Sequence, residues 1–219
     1  MSKFGFVFDL DGTLVDSRNQ IQDSLNKTRE TSQLPPAPIE LVRSQLGLPV
    51  EKLFSDLNLE PNELNSLIQT FRENLLGVIY NGNPVFEGVV PFIHKVKQLG
   101  FPIGVATTKP TYLAKEVIAN SDLMGLVDYV QGTDGFAPKP DPEVLRRCMQ
   151  GLGVENAIMF GDRKEDMQAA KTLGISSIGI AQSAHGIEDL LGDGAKFAFR
   201  NFVDLDLYFD QIIHLINLD

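Results

Sequence analysis

The chain has 219 residues, 43% hydrophobic and 22% charged, a composition that fits one or two globular domains and excludes wholesale disorder. Its 29 acidic against 19 basic residues give a net charge of −10, which disfavours duplex nucleic acid as a partner and leaves no basic cluster for an anionic membrane surface. Cys148 is the sole cysteine, so no internal disulfide can form; with no secretory signal and no apolar run near the ~20 residues of a membrane span, the expected location is a reducing cytoplasm.

The first element is Phe4-Gly5-Phe6-Val7-Phe8, an apolar run that stops at Asp9 and reads as a buried strand. From Asp16 to about Pro84 no convincing strand follows. Ile21, Leu25 and Thr28 begin a helix, Leu41, Val42 and Leu46 suggest another ending near Gly47, and Pro49 is placed to open a third. Leu64, Leu67, Ile68, Phe71, Leu75 and Leu76 then form an i, i+3/i+4, i+7 stripe. Asn81-Gly82-Asn83-Pro84 reads as a return linker. Residues 16–84 are therefore expected to be a small helical domain inserted into a core made of residues 1–15 and 85–219.

Beyond the linker, strand and helix alternate. Helical spacing covers Val89–Leu99, Tyr112–Asn120, Pro142–Gln150 and Lys164–Leu173. Apolar runs at Pro102–Ala106, Leu126–Val130, Ala157–Phe160 and Ser177–Ile180, with a weaker one at Lys196–Phe199, read as strands. Continuous apolar runs suit a sheet covered on both faces. The expected core is an α/β fold with a doubly wound, mostly parallel, Rossmann-like sheet.

Four polar segments fall just beyond the carboxyl ends of strands, where such sheets place their chemistry. They are Asp9-Leu10-Asp11-Gly12-Thr13, Thr107-Thr108-Lys109-Pro110, Lys139-Pro140-Asp141-Pro142 and Gly161-Asp162-Arg163-Lys164-Glu165-Asp166. Each alone reads equally as a turn or a helix cap. Together, Asp9, Asp11, Asp162 and Asp166 would repel one another at one sheet edge with only Lys139 opposing them, so the set needs a cation. Hard carboxylate oxygens suit Mg2+. Mg2+ beside a lysine, a threonine hydroxyl and a helix start makes a site for a phosphoryl group.

Asp-Leu-Asp-Gly-Thr-Leu resembles the first motif of the haloacid dehalogenase-like phosphatases, and the threonine, Lys-Pro-Asp-Pro and Gly-Asp-x-x-x-Asp segments are similar to its later motifs, in order. The nearest look is to the phosphoglycolate phosphatase and β-phosphoglucomutase branch, which carries a helical cap where residues 16–84 lie. The resemblance implies a phosphatase acting on a small phosphorylated metabolite, with phosphoglycolate the first guess. It implies Asp9 as nucleophile, Asp11 as acid/base, Thr107 on the phosphoryl oxygens and Lys139 on the developing charge. Asp9, the backbone carbonyl of Asp11, and Asp162 would hold Mg2+, with Asp166 in support. Thr108, one residue on, is an alternative to Thr107.

The sequence departs from that pattern in three places, the first being Thr107-Thr108-Lys109 where relatives often read Thr-Asn-Lys. Arg163-Lys164 follows Asp162 where relatives often carry serine, and is read as a solvated helix start. Leu48-Pro49-Val50 follows Gly47 where β-phosphoglucomutases carry an arginine, which weakens a phosphosugar-mutase reading, although Arg43 stands near enough to replace it as a substrate contact. A dehalogenase or phosphonate hydrolase fits less well because Asp11 is present. A non-enzymatic phospho-acceptor module would be about half as long and lack the helical insertion. No P-loop, dinucleotide fingerprint, calcium loop or serine-nucleophile motif appears. His94, His185 and His214 are scattered and read as structural or surface residues, and Cys148 as a core residue. Oligomeric state is not legible.

Overall fold

A computed structural model describes residues 4–183 and 185–216. Six strands form one parallel sheet: β1 (Phe4–Phe8), β2 (Ile103–Ala106), β3 (Tyr129–Gln131), β4 (Asn156–Gly161), β5 (Ser176–Ile180) and β6 (Phe197–Phe199), in the order β3-β2-β1-β4-β5-β6. This is the Rossmann-like order, and its direction reverses between β1 and β4. The crevice outside their carboxyl ends is where such sheets bind ligands.

Side chains of β1 alternate between the faces. Phe4, Phe6 and Phe8 point into one hydrophobic layer and Val7 into the other. Phe160 of β4 stacks on Phe6 and Phe8 at 5.7 and 4.7 Å between ring centroids. Helix α4 (Val89–Gln98) sets Phe92 edge-on to Phe8, at 6.3 Å. α5 (Thr111–Ala119), α9 (Phe202–Asp206) and α10 (Phe209–Ile216) cover the same face. On the opposite face, α6 (Glu143–Leu152) and α7 (Lys164–Leu173) pack Val144, Leu145, Cys148, Ala169 and Ala170 against Val7, Ala106 and Met159. α8 (Ile187–Gly192) lies beside β5 and β6. Both faces are thus dry, which is why the strands read as apolar runs rather than alternation.

Between β1 and α4 the chain is helical. α1 (Arg18–Thr31) packs against α3 (Pro61–Ile79), with α2 (Ile39–Gln45) between them in sequence. The apolar stripe of α3 is buried at Leu67, Ile68, Phe71, Leu75 and Ile79, as its spacing predicts. The two ends of this segment are tied together. Asp16 N donates to Pro84 O (2.9 Å), Phe86 N donates to Leu14 O (3.0 Å), and Val15 bridges Val85. Buried Asn83 anchors the return by donating to Ile79 O and Asn120 O, both at 3.1 Å.

Two elements differ from the sequence expectation. The third strand starts at Tyr129, not Leu126, because Asp128 ends the preceding turn by accepting Ile103 N–H on its carboxylate (2.8 Å). Pro49 opens no α-helix. It stands outside a 3₁₀ turn, Val50–Phe54, held by i→i+3 bonds such as Lys52 N to Pro49 O. Among the described residues no helix is long and apolar enough to cross a membrane.

Candidate active site

Asp9 is the first residue past β1, and its N–H donates to Phe160 O on β4 (2.8 Å). Asp162 follows β4 directly, so the paired strands bring the two carboxylates to the crevice. Asp166 arrives from the first turn of α7. Gly161 makes room for it, since a Cβ there would lie 2.3 Å from Asp166 Oδ2. Asp9, Asp162 and Asp166 are all buried, and one ligand oxygen from each lies within 4.8 Å of the others.

Lys139, 4% exposed, is the counter-charge. Its ammonium donates to Asp9 Oδ1 (2.7 Å), Asp166 Oδ1 (2.5 Å) and Ala106 O (3.0 Å). Burial works against the charge on Lys139, but Asp166 and Asp9 outweigh it and hold the ammonium above its ordinary range. Three buried carboxylates against one ammonium remain under-compensated. Burial, with Asp166 and Asp162 adding to it against Lys139, pushes Asp9 up to about 8. Burial and Asp166 push Asp162 up to about 7, against the pull of Ser183, Arg163 and Thr13. This charge deficit, on oxygen donors already converged, fits a hard divalent cation such as Mg2+.

Asp162 is fixed from three sides. Thr13 Oγ1 donates to Oδ1 (3.1 Å), Ser183 Oγ donates to Oδ2, and His185 Nδ1 lies 3.3 Å from its main-chain carbonyl. Gly12 has φ +88°, and a Cβ there would stand 2.6 Å from both Asp162 Oδ2 and Ser183 Oγ, so the turn after β1 requires glycine twice over. Thr13 stands in the first motif. Ser183 carries no motif, but the rule that chemistry follows strand ends points to it, since it comes just after β5.

Asp11 faces elsewhere. Its carboxylate is outside the three-aspartate cluster and stands 3.1 Å from the Lys109 ammonium, off the line of a hydrogen bond, so the contact is an ion pair alone. Lys109 is a buried site residue that sequence reasoning passed over, although the segment Thr107-Thr108-Lys109 contains it. Thr107 is buried, and its hydroxyl accepts Lys109 N–H (3.2 Å). The Thr108 hydroxyl instead donates to Gly47 O in the helical segment (2.7 Å).

Two expectations require correction. Arg163 is not solvated: it is 6% exposed, and its guanidinium donates to Leu46 O (2.6 Å) and Ser44 O (3.3 Å) across the crevice. Lys164 does stand in solvent. Arg43 does not reach the site. It projects from the exposed face of α2, where Glu40 one turn earlier pairs with it at 2.9 Å. Cys148 is a buried core thiol, pushed up by burial.

Between this corner and the helical segment lies a cavity of about 250 Å3 whose wall includes Asp11, Thr108, Lys109, Gly47, Leu48, Phe71 and Leu75. Asp11 thus lines the cavity, whereas Asp9 is paired with Lys139 and does not belong to that wall.

A family model described as haloacid dehalogenase-like hydrolase matches residues 6–180. A phosphoglycolate phosphatase of Rhodospirillum rubrum is 30% identical over 212 residues, covering 91% of this chain and 88% of its own length. The pyrophosphatase PpaX of Bacillus velezensis is 28% identical and covers 91% and 93%. A solved haloacid dehalogenase-like family hydrolase from Streptococcus pneumoniae superposes with a TM-score of 0.82 at 26% identity, covering 95% of this chain and 100% of the other.

Proposed function

The chain belongs to the haloacid dehalogenase-like hydrolase family, and we propose that this phosphatase hydrolyses a small phosphate monoester, phosphoglycolate being the first candidate, with Mg2+ and through an aspartyl-phosphate on Asp9. The observation that carries the reading is the convergence of Asp9, Asp162, Asp166 and Lys139 in one buried corner. In it residues 16–84 act as a cap over the core.

Asp9 attacks phosphorus, and the bond from phosphorus to the ester oxygen breaks. Lys139 holds the attacking carboxylate in line and takes up charge on the phosphoryl oxygens. Asp11 gives its proton to the departing oxygen; its place on the cavity wall supports that role. The same carboxylate then takes a proton from the water that attacks the aspartyl-phosphate; the bond from phosphorus to the Asp9 oxygen breaks, which frees inorganic phosphate and restores the Asp9 carboxylate. The Thr108 hydroxyl is committed to Gly47 O, which leaves Thr107 to bind the phosphoryl oxygens. Asp9, Asp162, the main-chain carbonyl of Asp11 and, in support, Asp166 would hold Mg2+. When bound, the ion neutralises the carboxylates and lets a dianionic phosphate approach. With Arg43 turned away, Leu48-Pro49-Val50 after Gly47 supply no arginine in place of the one a phosphosugar mutase carries there. The buried sole cysteine is consistent with a cytoplasmic setting.

Phosphate release from phosphoglycolate and from p-nitrophenyl phosphate, with Mg2+ and after exhaustive EDTA treatment, tests the proposal. Turnover with Mg2+ and its loss with EDTA are expected. Turnover that survives EDTA overturns the metal assignment.

A further inference from the structure

Among the arginines sheltered from solvent, Arg29 and Arg163 are paired through most of the guanidinium, the Nε of Arg29 alone staying unpaired, whereas Arg72 is paired on no nitrogen among the described residues. Arg29, wholly buried, donates to Asp56 on both oxygens and to Leu53 O. Arg163 donates to two main-chain carbonyls and Glu165. Arg72, half-buried on α3, has no ion-pair or hydrogen-bond partner among the described residues, and its Nε is buried and unsatisfied. Ser17, Ser24 and Arg29 also leave one buried donor atom unpaired, but only Arg72 brings a whole unpaired guanidinium to a cavity, and such a group asks for a ligand.

Arg72 lines the same cavity as Asp11 and Lys109. The surrounding wall is apolar, with Leu53, Phe71, Leu75 and Leu113. The Lys109 ammonium already faces Asp11, so Arg72 is the free cation of the cavity among the described residues. Glu51 stands exposed at the rim and forms no ion pair with it. A single uncompensated guanidinium beside an apolar wall, with an acid at the mouth, suits a monoanion better than a second dianionic phosphate. A guanidinium also matches a carboxylate in two parallel hydrogen bonds.

We infer that Arg72 is the residue that selects the leaving group, by binding a carboxylate such as the one phosphoglycolate would present. The inference rests on the proposed phosphatase reading, because that reading makes the Asp11 side of the corner the leaving-group side. A cavity of about 250 Å3 suits a compact leaving group.

The test uses the Mg2+-loaded protein and three non-hydrolysable phosphonates measured by titration calorimetry. 3-Phosphonopropionate presents the carboxylate, propylphosphonate an apolar end of similar length, and methylenediphosphonate a second phosphonate. The intact protein should bind the first about 10- to 100-fold more tightly than the second, the range expected of hydrogen bonds to a charged group. Arg72→Gln should erase that ratio, and Arg72→Lys should keep part of it. Equal binding of the first two by the intact protein overturns the inference, as does an Arg72→Gln variant that weakens both alike. Preference for methylenediphosphonate overturns the assignment of a carboxylate. Hydrolysis of p-nitrophenyl phosphate by the same samples reads the phosphatase activity separately. Its absence defeats the phosphatase reading while the phosphonate ratio still reports on Arg72.

Discussion

Asp9 and Asp11 sit two residues apart and face different chemistry. Asp9→Asn removes both the nucleophile and a carboxylate of the cluster, so turnover and covalent labelling should vanish together. Asp11→Asn keeps the shape and the main-chain carbonyl and loses only the proton, at a cost of roughly 10²–10⁴ in rate. With p-nitrophenyl phosphate, whose leaving group needs little protonation, this variant should still form the aspartyl-phosphate and then hydrolyse it slowly. Rapid-quench mass spectrometry should recover phosphate on Asp9; product without any phosphorylated Asp9 would refute the covalent route. The same corner dictates a pH response. Asp9 is raised to about 8 and Asp162 to about 7, against about 4 for an unfolded aspartate. Between those limits the metal-free folded protein holds protons that the unfolded chain has released. The contribution of these two groups to stability is therefore complete below pH ~4 and is lost as the pH rises through 7 to 8. Mg2+ favours the ionised carboxylates, so the rise in Tm on adding Mg2+ to EDTA-treated protein should be larger at pH 8.5 than at pH 5. An equal rise at both contradicts the burial argument.

At the scale of elements, α1 carries a device that its sequence conceals. Arg29 lies on the buried face with Ile21 and Leu25, and its guanidinium reaches Asp56 just past the 3₁₀ turn. The pair holds Asp56 below the ordinary carboxylate range, mainly through the hydrogen bonds from Arg29. Asp56→Asn strands a buried cation and should lower stability by about 2–3 kcal/mol, less than for a wholly buried pair because Asp56 is 30% exposed. Denaturant unfolding measures it; a change under about 0.5 kcal/mol, the ordinary range for surface substitutions, would mean the pair is idle. Apolar spacing made the strands and α3 legible because burial repeats along them. Arg29, Asp56 and Asn83 were not legible, since a polar residue signals burial only once its distant partner is known. The start of β3 was set by a carboxylate on the preceding turn rather than by hydropathy, and Pro49 was misread because 3₁₀ and α turns share the same first residue.

Across the whole molecule, the corner was legible because sheet topology gathers strand ends. Asp9, Lys139, Asp162 and Asp166 are scattered over 158 positions of sequence yet share one crevice. What was not legible is how the core meets the helical segment. Arg163, read as a solvated residue, and Thr108, read as an alternative phosphoryl ligand to Thr107, both donate across that boundary. Arg163→Gln should loosen residues 44–48, visible as faster amide exchange there, and should lower kcat/KM about tenfold for every ester regardless of its leaving group. A loss confined to one substrate would make Arg163 a recognition residue instead.

The core grips Ser44 and Leu46 by their carbonyl oxygens, a feature every amino acid shares. Mutation can therefore exchange the side chains on this loop without disturbing the clasp. A lineage could drift toward new metabolites while inheriting an intact catalytic corner, and the history of its diet would be written in the loop rather than in the sheet.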